Sequence, residues 1–351
     1  KGRRTRDRKA GCETLKIMKL HGFLPKSLFI LALLLPSAGI RTEAQNGVLP
    51  FLDMEVNART AGMSGAGSVC RDNPLALYAN MAAALGGDNI AGGAIFAGPW
   101  RTSFAVADVV YGGSAFYRPG RKNFISAGFR YISGEKMAIM DENGYMQGYM
   151  RPVDWALDFG YGRLFGDKWS VALNARWVRS DAGYGEGASD VAVFALHGAY
   201  LGSFHDVERG NWTAGLSVKG LGTPLKSNGA SNMLPIDVTA AGNVEILWGK
   251  KHSLSFSADL DLRVIPSMAF SAAVGAEYMF LRHGVVRAGY CAYFSRIHDG
   301  IQSYSNASDG YASIGCGLVF GPFRCDAAWR FHNDRSNPLN ASSVFSVSLL
   351  F

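Results

Sequence analysis

The chain has 351 residues, 12% of them aromatic and 43 of them glycine, and its 35 Lys+Arg exceed 28 Asp+Glu by seven. Residues 1–44 hold 10 of the basic and 3 of the acidic residues, so the remainder carries 25 of each and no net charge. The basic balance therefore gives no support to a nucleic-acid partner. Five cysteines without a C-x-x-C pair are too few for a disulfide scaffold.

Residues 1–17, ahead of Met18, read as an upstream extension. The run "SLFILALLLPSAGI" (27–40) follows Lys16, Lys19 and Lys26. Its length fits the core of a signal peptide, with cleavage expected after Ala44. A membrane-spanning helix needs about 20 apolar residues, and Pro36 interrupts this run. Residues 45–90 do not alternate. Glycine is dense at Gly62, Gly65 and Gly67, and "LALYANMAAAL" (75–85), after Pro74, predicts a short helix.

From residue 91 onward the pattern has period 2, the spacing at which alternate side chains of a strand share a face. In "VDWALDFGYGRL" (153–164), Trp155, Leu157, Phe159 and Tyr161 oppose Ala156, Asp158, Gly160 and Gly162. "WSVALNARWV" (169–178) and "SLSFSADLDLR" (253–263) repeat the scheme, with one face large and apolar, the other small or polar. A soluble sandwich also alternates. These segments, however, are about twice the usual strand length of 5–6 residues, and aromatics gather at their ends, as at membrane interfaces.

The connections alternate between short and long, with 203–211 as the exception. Transmembrane barrels do this because periplasmic turns are tight while external loops are free to grow. Fourteen strands are predicted, near 91–98, 102–117, 123–133, 153–164, 169–179, 190–202, 211–220, 236–247, 252–263, 269–280, 285–294, 310–320, 323–331 and 342–351. The expected fold is all-β: a transmembrane antiparallel β-barrel over 91–351 with an N-terminal plug, or hatch, over 45–90. An unpaired edge inside hydrocarbon is costly, so the last strand must pair with the first. That explains a chain finishing "FSVSLLF", with Phe351 still in strand alternation.

"LPFLDMEVNARTAGMSGAG" (49–67), "DNPLALYANMAAAL" (72–85), "VKGLGTPL" (218–225), "GAEYMF" (275–280) and "VRAGY" (286–290) occur in that order. Together they resemble the PorV/PorQ-like outer-membrane proteins of the type IX secretion system, relatives of the FadL-type channels. The likeness covers nearly all of the chain after residue 44. Met81 stands where that family usually has proline, and Ser64 where it has a third glycine. The resemblance implies a 14-stranded barrel in the bacterial outer membrane, with the N-terminal segment in or under the lumen. It makes Arg59 and Asp72 candidates for a buried charge pair fixing the plug, and Asn80 a cap or anchor at the barrel floor.

Catalytic and metal signatures are lacking. "AGMSGAG" is not a nucleophile elbow, "GLGTPLKS" departs from a P-loop at Leu225, and the histidines show no H-E-x-x-H spacing. Asp259 and Asp261 share a strand face and read as lumen polarity. Cys316 and Cys325 fall on adjacent predicted strands, where either pairing or free thiols fits. Asn306 and Asn340 begin glycosylation-type triplets in predicted outer loops. The expectation is a non-enzymatic protein without cofactor or metal. Its partners would be outer-membrane lipid and, by the resemblance, the C-terminal domains of secreted cargo and translocon components. The outer loops 134–152, 221–235 and 294–310 are the expected contact surfaces. The first carries Met137, Met140, Tyr145, Met146, Tyr149 and Met150, a composition suited to adaptable protein contacts. The alternative is a FadL-like passage for hydrophobic small molecules, with 45–90 as its hatch.

Overall fold

The computed structural model describes residues 49–351 except 102–108, 142, 182, 184–186, 205–209, 228–229, 249–250, 266–267, 299–300, 304–309 and 334–339. The expected leader, residues 1–44, lies outside the described residues. The strands are, in chain order, β1 (Ala91–Arg101), β2 (Val110–Tyr117), β3 (Asn123–Ser133), β4 (Met137–Met140), β5 (Met146–Met150), β6 (Val153–Phe165) and β7 (Trp169–Asp181). They continue as β8 (Ser189–Ser203), β9 (Gly210–Gly222), β10 (Leu225–Ser227), β11 (Ala230–Asn232), β12 (Ile236–Trp248), β13 (His252–Ile265) and β14 (Ala269–Phe280). The last are β15 (Gly284–His298), β16 (Ile301–Ser303), β17 (Gly310–Phe320), β18 (Phe323–His332) and β19 (Ser342–Leu350).

Fourteen of these form one closed antiparallel wall. β14 pairs with β15 and β1 with β19, so the sheet returns on itself. β16 extends the outer end of β15, while β4–β5 and β10–β11 are separate ribbons on the connections. The second strand starts at Val110, and the stretch 102–108 that the alternation assigned to it lies outside the described residues. At the seam, Phe351 donates its N–H to Ala91 O at 2.8 Å and accepts from Ile90 N at 2.6 Å. The terminal aromatic is thus held by the first strand.

The pleat sorts the residues as the alternation requires. In β6, Phe159 is 61% exposed while its neighbour Asp158 is fully buried. Trp169, Val171, Leu173 and Trp177 of β7 face outward, against buried Ser170, Ala172 and Asn174. The outer surface is therefore an apolar belt, with exposed Phe165, Trp169, Phe280, Phe320 and Phe323 beside the short hairpins. This is the surface a barrel presents to lipid. The tight hairpins, with both ends of the wall, mark the periplasmic rim, and the ribbons mark the outer rim. Cys316 and Cys325 are free and exposed. Cys316 lies opposite Ala327 and Cys325 opposite Leu318, two positions out of register.

Residues 49–90 fill the interior. Pro50–Leu52 form a 3-10 turn, and α1 (Ala58–Ala61) is capped by Asn57, whose side chain accepts from Arg59 N. The single helix expected over 75–85 is instead two turns, a 3-10 turn at Ala76–Tyr78 and α2 (Met81–Ala84). Asn80 is the cause. Its Oδ1 accepts the N–H groups of Ala82 and Ala83 at 3.0 and 3.4 Å, and such a residue starts a helix rather than continuing one. α1 packs on β17, β18 and β19, and α2 on β6 to β9.

Candidate functional site

Wall glycines make room for the plug. A Cβ at Gly289 or Gly275 would meet Met63 at 2.3 or 2.5 Å, and one at Gly160 would meet the Met81 side chain at 2.3 Å. Both methionines are fully buried. Met81 occupies the first helical position of α2, behind the Asn80 cap, a position where proline is also favoured. Ser64 has φ +57°, a conformation that favours glycine. Hydrogen bonds accompany it: Ser64 N donates to Ser313 Oγ at 2.7 Å, and Tyr311 Oη donates to Ser64 O at 2.9 Å.

Polar contacts then fasten plug to wall. Asp259 of β13 accepts Gly67 N and Ser68 N at 2.9 and 3.1 Å, so a wall carboxylate grips the glycine turn. Arg71 donates to Thr213 Oγ1, Gly202 O and Trp212 O, all within 2.9 Å. Arg118, at the first periplasmic hairpin, reaches back to the carbonyls of Leu85, Gly87 and Asn89.

Arg59 is the centre of the strongest attachment, but Asp72 is not its counter-ion. Arg59 makes a two-pronged bond with Glu277 of β14, Nη2 to Oε1 at 2.6 Å and Nε to Oε2 at 3.0 Å. Glu277 Oε2 also accepts Arg287 Nε at 2.5 Å and Arg324 Nη2 at 3.2 Å. Asp326 completes the cluster, 2.8 Å from both Arg287 and Arg324. Three guanidinium groups thus share two carboxylates in the dry space between α1 and the wall. Burial works against the Arg59 charge, yet the Glu277 carboxylate more than offsets it, and the Arg59 pKa is raised well above its ordinary value. Asp72 gives Arg59 only its backbone carbonyl, at 3.0 Å. Its carboxylate accepts from Asp88 N and Asn89 Nδ2 instead, closing the base of the plug. Glu277 lies 218 positions from Arg59, so no local spacing links them. The sequence sign was one Glu on the small-residue face of a strand. Asn80, besides capping α2, donates Nδ2 to Gly198 O of β8 at 3.3 Å.

The second place of interest is the outer rim. β4 and β5 pair as a ribbon, Met137 opposite Met150 and Met140 opposite Met146. Met137, Met140, Tyr145, Met146 and Tyr149 are exposed and Met150 is half-buried. The turn is organised by Asp141, which accepts Tyr145 N at 2.8 Å, Asn143 N at 2.9 Å and Gln147 Nε2 at 3.1 Å. Those bonds, the one from Tyr145 first, hold its carboxyl below the usual range. Lys136 Nζ sits 4.1 Å from the centre of the Tyr149 ring. The loop 221–235 behaves differently. Leu225 and Leu234 are buried in the apolar cluster of the inner wall, folding this loop toward the barrel mouth. The third loop, 294–310, lies partly outside the described residues.

The family described as type IX secretion system protein PorV matches residues 40–269. The chain belongs to the PorV family. Membership places it in the bacterial outer membrane, as a barrel of the type IX secretion family. No curated protein matches the sequence. Among solved structures, the Pseudomonas putida toluene transporter TodX is 14% identical with a TM-score of 0.53, over 83% of this chain and 97% of that one. The monoaromatic hydrocarbon channel CymD is 13% identical with a TM-score of 0.51, over 84% and 97%. At such identities the likeness concerns the barrel fold.

Proposed function

We propose that this PorV-family barrel is a non-enzymatic binding component of type IX secretion, holding the C-terminal domain of secreted cargo or docking on the translocon at its outer rim. The observation that carries the reading is the β4–β5 ribbon, with five large Met and Tyr side chains exposed on a self-paired hairpin. None of them lines the lumen cavity. Flexible thioethers and amphipathic phenols suit a surface that must accept several related partners. The lock of Arg59 on Glu277 supports the same reading, since a fixed plug leaves the rim as the working surface. The test is purification from native outer membranes of the unaltered barrel and of a variant with Met137, Met140, Tyr145, Met146 and Tyr149 replaced by Ser. Cargo or translocon subunits should accompany the first and be lost from the second. Bound lipid without any secretion component would overturn the proposal.

A second reading, passage of hydrophobic small molecules, draws on β1. Its register with β19 shifts between Ala97 and Trp100, and its pairing with β2 ends at Gly98. Gly98 has φ +148° and lies so close to β19 that a Cβ would sit 2.9 Å from Val344 Cα. A bulge of this kind bends a strand, and it borders the apolar inner cluster of Leu49, Phe51, Phe96 and Val110. Saturable toluene uptake into vesicles containing the barrel, abolished by a cysteine crosslink between plug and wall, would favour this reading over the first.

A further inference from the structure

Above the plug, in the outer half of the lumen, lies a cavity of about 620 Å3. That volume falls within the roughly 300–1,000 Å3 of small-molecule sites. Its lining is unlike that of a hydrocarbon pocket. Six Arg, Lys, Asp and Glu side chains line it without an ion-pair partner among the described residues: Arg130, Lys219, Arg330, Glu55, Asp259 and Asp261. The other charges at this level are already matched, Arg176 with Asp158 and Arg263 with Asp237 and Asp53.

The unmatched cations are built in rather than loose on a surface. Arg130 is 2% and Arg330 5% exposed. Arg130 donates to Leu52 O at 3.0 Å and lies 4.0 Å from the Tyr78 ring centre, and Arg330 donates to Glu55 O at 3.3 Å. In each the Nε has no hydrogen-bond partner among the described residues. A buried guanidinium with an unmet N–H and no carboxylate is costly, and a bound anionic group relieves that cost. The carboxylates Asp259 and Asp261 stand on β13, two strands from Lys219 on β9. Three positive and three negative groups sum to zero charge, so the unmatched set favours neither a simple anion nor a simple cation.

A ligand carrying both charges meets both walls. In the sheet, Asp237 links the register of Lys219 to β12, and Thr239 links that of Asp261. Two strand spacings and a two-residue offset put the Lys219 and Asp261 Cα atoms roughly 12 Å apart, about the length of three or four extended residues. We propose that this cavity binds a short zwitterionic peptide, its carboxylate toward Arg130 and Lys219 and its ammonium toward Asp259 and Asp261. The inference stands apart from the secretion reading and needs neither cargo nor translocon.

The test uses the full chain in detergent micelles and three probes: triglycine, N-acetyl-triglycine amide, which has the same backbone but no charge, and toluene. Saturation-transfer NMR should give saturable binding of triglycine and at least about tenfold weaker binding of the blocked peptide. Tenfold is the share of one charge-assisted hydrogen bond of about 1.4 kcal/mol. Lys219→Gln and Asp261→Asn should each weaken triglycine about tenfold while the heat-dependent gel mobility of the folded barrel stays unchanged. Equal affinity for the charged and blocked peptides would overturn the proposal. So would displacement of triglycine by toluene, or the absence of saturable triglycine binding in folded protein.

Discussion

Replacing Glu277 by Gln should loosen the plug without changing the wall. Glu277 is the only carboxylate that Arg59 touches among the described residues, and it also accepts from Arg287 and Arg324. The cluster of Arg59, Arg287, Arg324, Glu277 and Asp326 has a formal charge of +1, from three cations and two anions. Glutamine fills nearly the same volume but raises that charge to +2 in a place sealed from water. Removing one partner of a buried pair costs about 3–5 kcal/mol, which is on the order of 10²–10⁴ in the equilibrium between seated and unseated plug. Hydrogen exchange of the Ala61–Ala66 amides, followed in the folded barrel, reads that equilibrium directly. Protection there should fall by the same two to four decades, roughly, while the β7–β8 ladder exchanges as before. The double variant Glu277→Gln with Arg59→Gln returns the charge to +1 and should recover part of the loss. Unchanged protection in the single variant, or a double variant worse than the single one, would refute the view that charge matching holds the plug.

Three further expectations can be checked on the same material. Gly289→Ala should cost more than Gly160→Ala, at about 1–3 kcal/mol for overpacking. The new methyl at Gly289 meets Met63 backbone at 2.3 Å, whereas the one at Gly160 meets the movable end of Met81. Heat-modified gel mobility compares them, and equal costs would count against a tightly seated α1. Asn80→Ala should destabilise α2 by about 1 kcal/mol, the usual price of a lost N-cap, seen as faster exchange at Ala82 and Ala83; no change would remove Asn80 from the plug's anchors. The β4–β5 turn should depend on acid. The depressed carboxyl of Asp141 lends the turn stability above its unfolded value near 3.8, lost as the pH falls through its lower folded value. Tyr145 resonances should therefore shift below pH 4, and Asp141→Asn should flatten that response.

The barrel was legible because a membrane wall imposes one rule at every second residue. Phe159 against Asp158, or Leu254 against Ser255, is decided by the two solvents on either side of the sheet, and the choice is local. The closing pair of strands followed from the cost of an open edge. The plug was less legible, since its contacts are distant in sequence. The family resemblance offers Asp72 as the partner of Arg59, whereas Glu277 wins through a bidentate geometry that only the closed wall provides. Alanine and leucine favour a single helix over 75–85 on propensity, and the Asn80 side chain outcompetes that preference by capping a new start. The loop 221–235 carried no periodicity to show that Leu225 and Leu234 turn inward.

The seam between β1 and β19 has a consequence for biogenesis. Residues 49–90 leave the ribosome before any of the wall, and the strand that completes the circle is made last. A plug clasped on β6 to β9 by one helix and on β17 to β19 by the other touches both early and late strands of the wall. The interior therefore offers a common surface on which the first and last strands can meet before Phe351 docks beside Ala91.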